Sequence, residues 1–261
     1  MGNRDTLSVV LEKVEQLLEL KYSGSTPKNY LHHIRLFLEH TKKAPNRVTN
    51  EDYLDYNISI RNKGHSYRNV AVNAINAYFN IYLRKKVKDF ASIRPPKRKR
   101  LPEVYDFETT KLRIKAIPNL KHRLILHLGL NVWMRQGEVR DLLLSDISEE
   151  KMTIFIRQSK GCKDGEIDFS KETLNLIKDY KEEYKPIKYL FEGRPGERYA
   201  SFNKVCQNHL EFRFHALRAT GANHAHLLNY SLYKISNKLR HSSIKTTEFY
   251  LRPNLKSLVG I

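Results

Sequence analysis

Towards the end of this 261-residue chain, Phe-His215-Ala-Leu-Arg218 and Leu-Arg-His241-Ser-Ser-Ile-Lys-Thr-Thr-Glu-Phe-Tyr250 group two imidazoles, a guanidinium and a phenol. A guanidinium grips the oxygens of a phosphate through a planar fork of donors. An imidazole gives or takes a proton near neutral pH, and a phenol freed of its proton is a nucleophile. His215 and Arg218 lie three apart, so on a helix they share a face and can reach one anionic group. Alone, such a pair is more often a surface capping or salt-bridging pair; its company gives it weight. Upstream, Trp133-Met-Arg135-Gln-Gly-Glu138 sets an arginine where an apolar helix ends and another begins, with an acid three residues on. Glu138 can hold that guanidinium in place while its remaining donors face a ligand.

The charge balance names the kind of ligand. Forty-seven Lys and Arg against 28 Asp and Glu leave a net charge of +19. So large an excess repels itself unless a polyanion offsets it, and nucleic acid is the first candidate over mere solubility charge. The length gives room for two domains of ordinary size. Cys162 and Cys206 stand far apart and form no CxxC, which supports neither a disulfide framework nor a zinc ribbon and fits a reducing cytoplasm. No apolar run reaches the roughly 18 residues a membrane span needs. Gly2 and Thr6 match a myristoylation pattern only superficially.

Periodicity supplies the elements that must position these groups. The first ninety or so residues read as four helices. Leu7, Val10, Leu11, Val14, Leu17 and Leu18 form one stripe, and Tyr30, Leu31, Ile34, Phe37 and Leu38 a second, after a Ser25 cap with Pro27 at the first helical position. A third helix opens at a Thr49 cap, and a fourth near Ser66 buries Val70, Ala74, Ile75, Tyr78, Phe79 and Tyr82. Their outer faces are expected to expose Lys28, Arg35, Lys42, Lys43, Arg61, Lys63, Arg68, Arg84, Lys85 and Lys86 towards phosphates. The stretch 93–102, with paired prolines and the basic run Lys97, Arg98, Lys99, Arg100, is read as an interdomain linker that tracks a nucleic-acid backbone, against a nuclear address or a solvated spacer. Beyond it, helices are expected at 107–117, 119–130 and 136–144, the last with Val139, Leu142 and Leu143 inward. A β-hairpin of Met152–Gln158 and Glu166–Phe169 follows, with Lys160 near its tip. Further helices are expected at 171–184, 201–211, 215–229 and 232–239, and a last one runs from a Ser243 cap to Tyr250.

Together these residues resemble the tyrosine recombinases, or phage-type integrases. That family carries an arginine in a G-L-R-x-x-E-like segment, a lysine at a β-hairpin, an H-x-x-R helix, an L-G-H-S-S-x-x-T-T string and a tyrosine nine residues after that histidine. Here they correspond to Arg135 with Glu138, Lys160, His215 with Arg218, His241-Ser-Ser-Ile-Lys-Thr-Thr, and Tyr250. Three departures stand beside the reactive groups. Met134 replaces the usual glycine before the first arginine, Arg240 replaces the glycine before the second histidine, and Ala219-Thr-Gly-Ala-Asn follows Arg218 in place of His-Thr-Phe-Ala-Thr.

The resemblance implies a mainly α fold with a small β-hairpin: an all-helical core-binding domain at 1–92, the linker at 93–102 and a mixed, mostly helical catalytic domain at 103–261. It implies a site-specific recombinase that holds a DNA 3′ end on Tyr250 while Lys160 protonates the departing 5′ oxygen. Arg135 and Arg218 would neutralise the non-bridging oxygens, and His215 and His241 would add donors, His215 accepting the phenolic proton. No cofactor or metal is expected. Double-stranded DNA is the expected partner, contacted also by Lys28, Arg68 and Lys97 to Arg100, with a homotetramer on paired sites, a weaker oligomer when free, and a location at the nucleoid. A tail of Leu251, Leu255, Leu258, Val259 and Ile261 would dock on a neighbour or in cis. The competing readings are a non-catalytic DNA-binding protein of the same fold, topoisomerase-like relaxation, and a zinc site from His209, His215, His224, His226 and His241.

Overall fold

Helical spacing of apolar residues builds the N-terminal helices, and the computed structural model describes residues 7–85, 94–96, 101–159 and 163–251. The chain divides into two compact units, 1–99 and 100–261. In the first, α1 (Leu7–Lys21) buries Val10, Leu11, Val14 and Leu18, and α2 (Thr26–Thr41) buries Ile34, Phe37 and Leu38. Then come α3 (Asn50–Ser59) and α4 (His65–Tyr78), which runs on into a π-helical turn, Phe79–Leu83. Thr49 closes the start of α3 reciprocally: its hydroxyl accepts from the Asp52 N–H at 3.3 Å, and its own N–H donates to the Asp52 carboxylate at 2.8 Å.

Three expectations shift here. Ser25 makes no side-chain cap, because its backbone already follows the helical turn (φ −87°, ψ −3°), so Pro27 falls second in the helix. The core face of α4 takes in Ala71 and Val72, whereas Val70 is only half-buried. Arg68 is half-buried too, since it lies one turn before fully buried Val72 on the same face, and its Nε is buried without a hydrogen-bond partner among the described residues. Lys28, Arg35, Lys42, Lys43, Arg61, Lys63, Arg84 and Lys85 are exposed as expected.

The second unit is arranged around one helix. Its helices are α5 (Phe107–Lys115), α6 (Leu120–Asn131), α7 (Gln136–Arg140), α8 (Lys171–Tyr184), α9 (Phe202–Leu210), α10 (Phe214–Leu227), α11 (Leu232–Leu239) and α12 (Ile244–Tyr250). Leu124, Ile125, Leu126, Leu128 and Leu130 of α6 are wholly buried, so this helix is buried on every side from 124 to 130 and serves as the centre of the core. Helix α10 crosses it closely at Gly129, where a Cβ would stand 2.8 Å from the Phe214 ring and 2.9 Å from Leu217. Small size there sets the depth of the helix that carries His215 and Arg218.

Helix α7 is shorter than the expected 136–144. Past Arg140 the chain is extended: the Leu190 N–H donates to the Leu142 carbonyl at 2.8 Å and the Leu144 N–H to that of Lys188 at 3.1 Å. Leu142 is buried by that pairing and Leu143 only half-buried. A three-stranded antiparallel sheet follows in the order β1 (Ile147–Ser148), β2 (Thr153–Ser159), β3 (Lys163–Asp168). Ile154 pairs with Ile167 and Ile156 with Gly165, so the apolar side chains share the buried face. The two-residue β1 was not expected, being too short to show a period. The fold is thus mainly helical with one small sheet.

Candidate active site

Arg135 sits at the junction into α7, held by the acid three residues later. Its Nη1 donates to Glu138 Oε1 at 2.7 Å and its backbone N–H to Oε2 at 2.7 Å. The guanidinium keeps 25% of its side-chain surface exposed, while Glu138 keeps 7%. Arg218, on α10, is fully enclosed at 1% exposure; it donates to the backbone carbonyls of Trp133 and Leu239 and lies 3.9 Å from Glu138. A planar fork satisfied on two sides by fixed carbonyls cannot swing, which is the preorganisation a charge-stabilising group needs.

Tyr250 closes the site from α12. Its hydroxyl lies 3.4 Å from His215 Nε2, and its ring meets both imidazoles edge-on, with centroids 5.7 Å from His215 and 5.4 Å from His241. His241 is oriented by Thr247, whose hydroxyl lies 2.9 Å from Nδ1, and by its own N–H, which donates to the Ser236 carbonyl at 3.1 Å. Asn223 joins the helices by donating to the carbonyls of Ala219 at 2.9 Å and Tyr250 at 3.3 Å. The nucleophile candidate therefore lies in the pocket of its own chain.

Burial and charge tune these groups in opposite directions. Burial pushes the Tyr250 phenol up to about 12, against the pull of Arg218 and Arg135. Burial, then the charges of Arg218 and Arg135, hold His215 below its ordinary value, and the same causes, with His215 and Arg240 added, bring His241 down to about 4. Both imidazoles are neutral at pH 7, so His215 can receive a proton. Burial lowers Arg218 to about 10, which leaves it charged. Despite its burial, Glu138 is held below the usual carboxylate range, by Arg240 first and then by Arg135.

The structure thus brings together Arg135, Glu138, His215, Arg218, His241 and Tyr250. Lys160, Lys97, Arg98, Lys99 and Arg100 lie outside the described residues, as do Lys86, Gly2, Thr6 and the tail beyond Leu251. Lys28 is exposed on α2 in the other unit. The five histidines weighed as zinc ligands do not gather: His209 pairs with His122 at 3.0 Å and His224 stacks on Phe107 at 3.9 Å. Among the described residues no three His, Cys, Asp or Glu side chains group as a metal site would need.

Two departures from the family pattern have structural answers. The left-handed residue before Arg135 is Trp133 (φ 61°), not Met134, which is fully buried; in G-L-R the glycine falls on Trp133. Its indole occupies the space that Gly221 leaves open, for a Cβ at 221 would collide with Trp133 Nε1 and with the Leu130 carbonyl. Where the family places glycine and phenylalanine, this chain places tryptophan and glycine. Arg240 also takes a left-handed conformation (φ 49°, ψ 48°), at a cost of roughly 1–2 kcal/mol for a residue with a Cβ. Its Nη2 donates to Glu138 Oε2 at 2.5 Å. Sequence reasoning passed over Thr247, Asn223 and Arg240 as partners. Thr247 stood within the quoted motif string, and the other two were visible only as departures.

Mostly helical architecture, a small antiparallel sheet and this cluster define a DNA strand-transfer type of catalytic domain. Residues 103–256 match the phage integrase family, and the chain belongs to that family, the tyrosine recombinases. It is similar to the tyrosine recombinase XerA of Pyrococcus furiosus, 29% identical over 275 aligned positions that span 99% of this chain and 94% of that protein. The XerA of Saccharolobus solfataricus is 27% identical, over 87% of this chain and 82% of its own length. Among solved structures, lambda integrase residues 75–356, a dimer bound to a COC′ core site, superposes with a TM-score of 0.71 at 17% identity, covering 95% of this chain and 96% of that one. The Tn1549 transposon integrase in complex with transposon right-end DNA gives 0.66 at 15% identity, covering 95% and 96%. No helix among the described residues is long and apolar enough to cross a membrane.

Proposed function

We propose that this protein is a site-specific DNA recombinase that cuts and rejoins strands through a 3′-phosphotyrosyl bond to Tyr250. The observation that carries the reading is the Tyr250 hydroxyl 3.4 Å from His215 Nε2, beside two guanidiniums fixed by Glu138 and by backbone carbonyls. In this reading Arg135 and Arg218 bind the non-bridging oxygens of the scissile phosphate, and His241 adds a donor. Tyr250 Oη attacks phosphorus as His215 takes its proton; the bond from phosphorus to the 5′ oxygen breaks, and Lys160 protonates that oxygen. Rejoining runs the same steps backwards with a different 5′ hydroxyl. The phosphodiester is exchanged rather than hydrolysed, so no external energy source enters.

Exposed cations of residues 7–85 and the basic run 97–100 would lie along the DNA backbone, and four copies on two sites would exchange strands during integration, excision, inversion or dimer resolution. The test is a labelled, nicked DNA carrying the cognate site. Wild type is expected to form a protein–DNA band that survives denaturing electrophoresis, and Tyr250→Phe to bind that DNA within about twofold of wild type without forming the band. A persistent band with the phenylalanine variant overturns Tyr250 as nucleophile; no band with wild type favours a DNA-binding protein without cleavage activity.

A further inference from the structure

We infer that Arg240 is a positioning residue for strand cleavage: it clamps the Glu138 carboxylate that also holds Arg135, and so fixes the guanidinium that binds the scissile phosphate. This rests on the function proposed above. Glu138 Oε1 receives Nη1 of Arg135 at 2.7 Å, and Oε2 receives both the Arg135 backbone N–H at 2.7 Å and Nη2 of Arg240 at 2.5 Å. Arg218 stands 3.9 Å away on the same oxygen. A carboxylate with 7% exposure, hydrogen-bonded from the start of α7 and the end of α11 and flanked by Arg218 of α10, has one arrangement that satisfies them all.

Arg240 is itself held. Its side chain is 11% exposed, its Cδ lies 3.6 Å from where a Cβ of Gly165 on β3 would be, and its Nη1 donates to the Lys238 carbonyl at 3.3 Å. The side chain therefore runs from the end of α11 between β3 and α7, and reaches the carboxylate with its outer nitrogen. A residue with a Cβ stands here in a left-handed conformation that glycine adopts freely, so the backbone alone gives no reason for arginine. The ion pair does. Without Arg240, Oε2 loses its charged hydrogen-bond partner and keeps the Arg135 backbone N–H, so the carboxylate that orients the Arg135 guanidinium is held less firmly.

The experiment uses the full-length protein and the nicked DNA, with single-turnover cleavage and DNA affinity measured separately. Arg240→Gly relieves the backbone and should melt no lower than wild type, yet is expected to cleave about 10- to 100-fold more slowly with DNA affinity within about twofold. Arg240→Asn, which also tolerates this conformation, should behave alike, and Arg240→Lys should recover part of the rate by restoring the charge. In a Glu138→Gln background the Arg240→Gly loss should vanish, because the pair it breaks is already gone. Wild-type cleavage by Arg240→Gly, an equal loss in the Glu138→Gln background, or loss of rate and DNA affinity together would overturn the inference. Absence of adduct with wild type would instead overturn the proposed function, which keeps the two failures apart.

Discussion

Cations are used in contrary ways by the two units. In residues 7–85 most stand out in solvent, Arg68 excepted: Lys28, Arg35, Arg61 and Lys63 are exposed, and Lys43 has a carboxylate at 2.7 Å in Asp52 but still half its side-chain surface free. In the second unit Arg218 is 1% exposed and Arg240 11%, and each is tied to carbonyls or to Glu138. A mobile exposed cation follows a polyanion wherever it runs and loses little entropy doing so. A buried one has lost its freedom and its water during folding, and meets a developing charge without rearranging. One unit suits binding and the other chemistry.

That division can be broken by experiment. Arg218→Lys should cost the most, about a thousandfold in cleavage rate, since one ammonium cannot keep two carbonyls and a phosphate oxygen. DNA affinity should hold, and a parallel loss of affinity would mean that this buried guanidinium serves binding. Lys160→Ala should slow cleavage about a hundredfold on ordinary DNA and be rescued when sulfur replaces the bridging 5′ oxygen, because the thiolate leaves without a proton. No rescue removes Lys160 as the acid.

Acidification gives a third, smaller contrast. His127 and His241 are both brought down to about 4, chiefly by burial, so below about pH 6.5 the unfolded chain binds protons that the folded one refuses. Stability is therefore level above about 6.5, falls as pH drops towards 4, and levels off for these two groups below that. His127→Gln, which can keep a hydrogen bond to Thr173, should flatten the fall in melting temperature followed by calorimetry; an unchanged slope would assign it to other groups. Smallest of all, Lys28→Gln should leave single-turnover cleavage of bound DNA untouched and reduce the salt dependence of binding by about one phosphate contact. An unchanged salt slope would take Lys28 off the DNA path.

The groups of the candidate site were legible because the chemistry proposed for them permits few residue types: two guanidiniums, two imidazoles and a phenol leave little freedom. Helix positions were legible where apolar spacing was long, as in α2 and α8. Other parts of the site have no letter of their own. The groups that hold Arg218 are the carbonyls of Trp133 and Leu239, which any residue would supply. The end of α7 was missed because Leu142 and Leu143 suit a helix as well as a strand, and pairing with 188–190 decided between them. Arg240 read as a defect in a motif, since only the folded chain brings Glu138, about a hundred positions earlier, against it.

Trp133 is the one tryptophan in the chain. Its backbone carbonyl receives Arg218, its ring lies 4.9 Å from the Lys238 ammonium, and 7% of it meets solvent. Near-ultraviolet excitation at its absorption edge therefore selects a single fluorophore two residues from Arg135. Its emission should be blue-shifted in the folded chain, and a stopped-flow trace on mixing with DNA would show when the guanidinium cradle settles, with no dye attached.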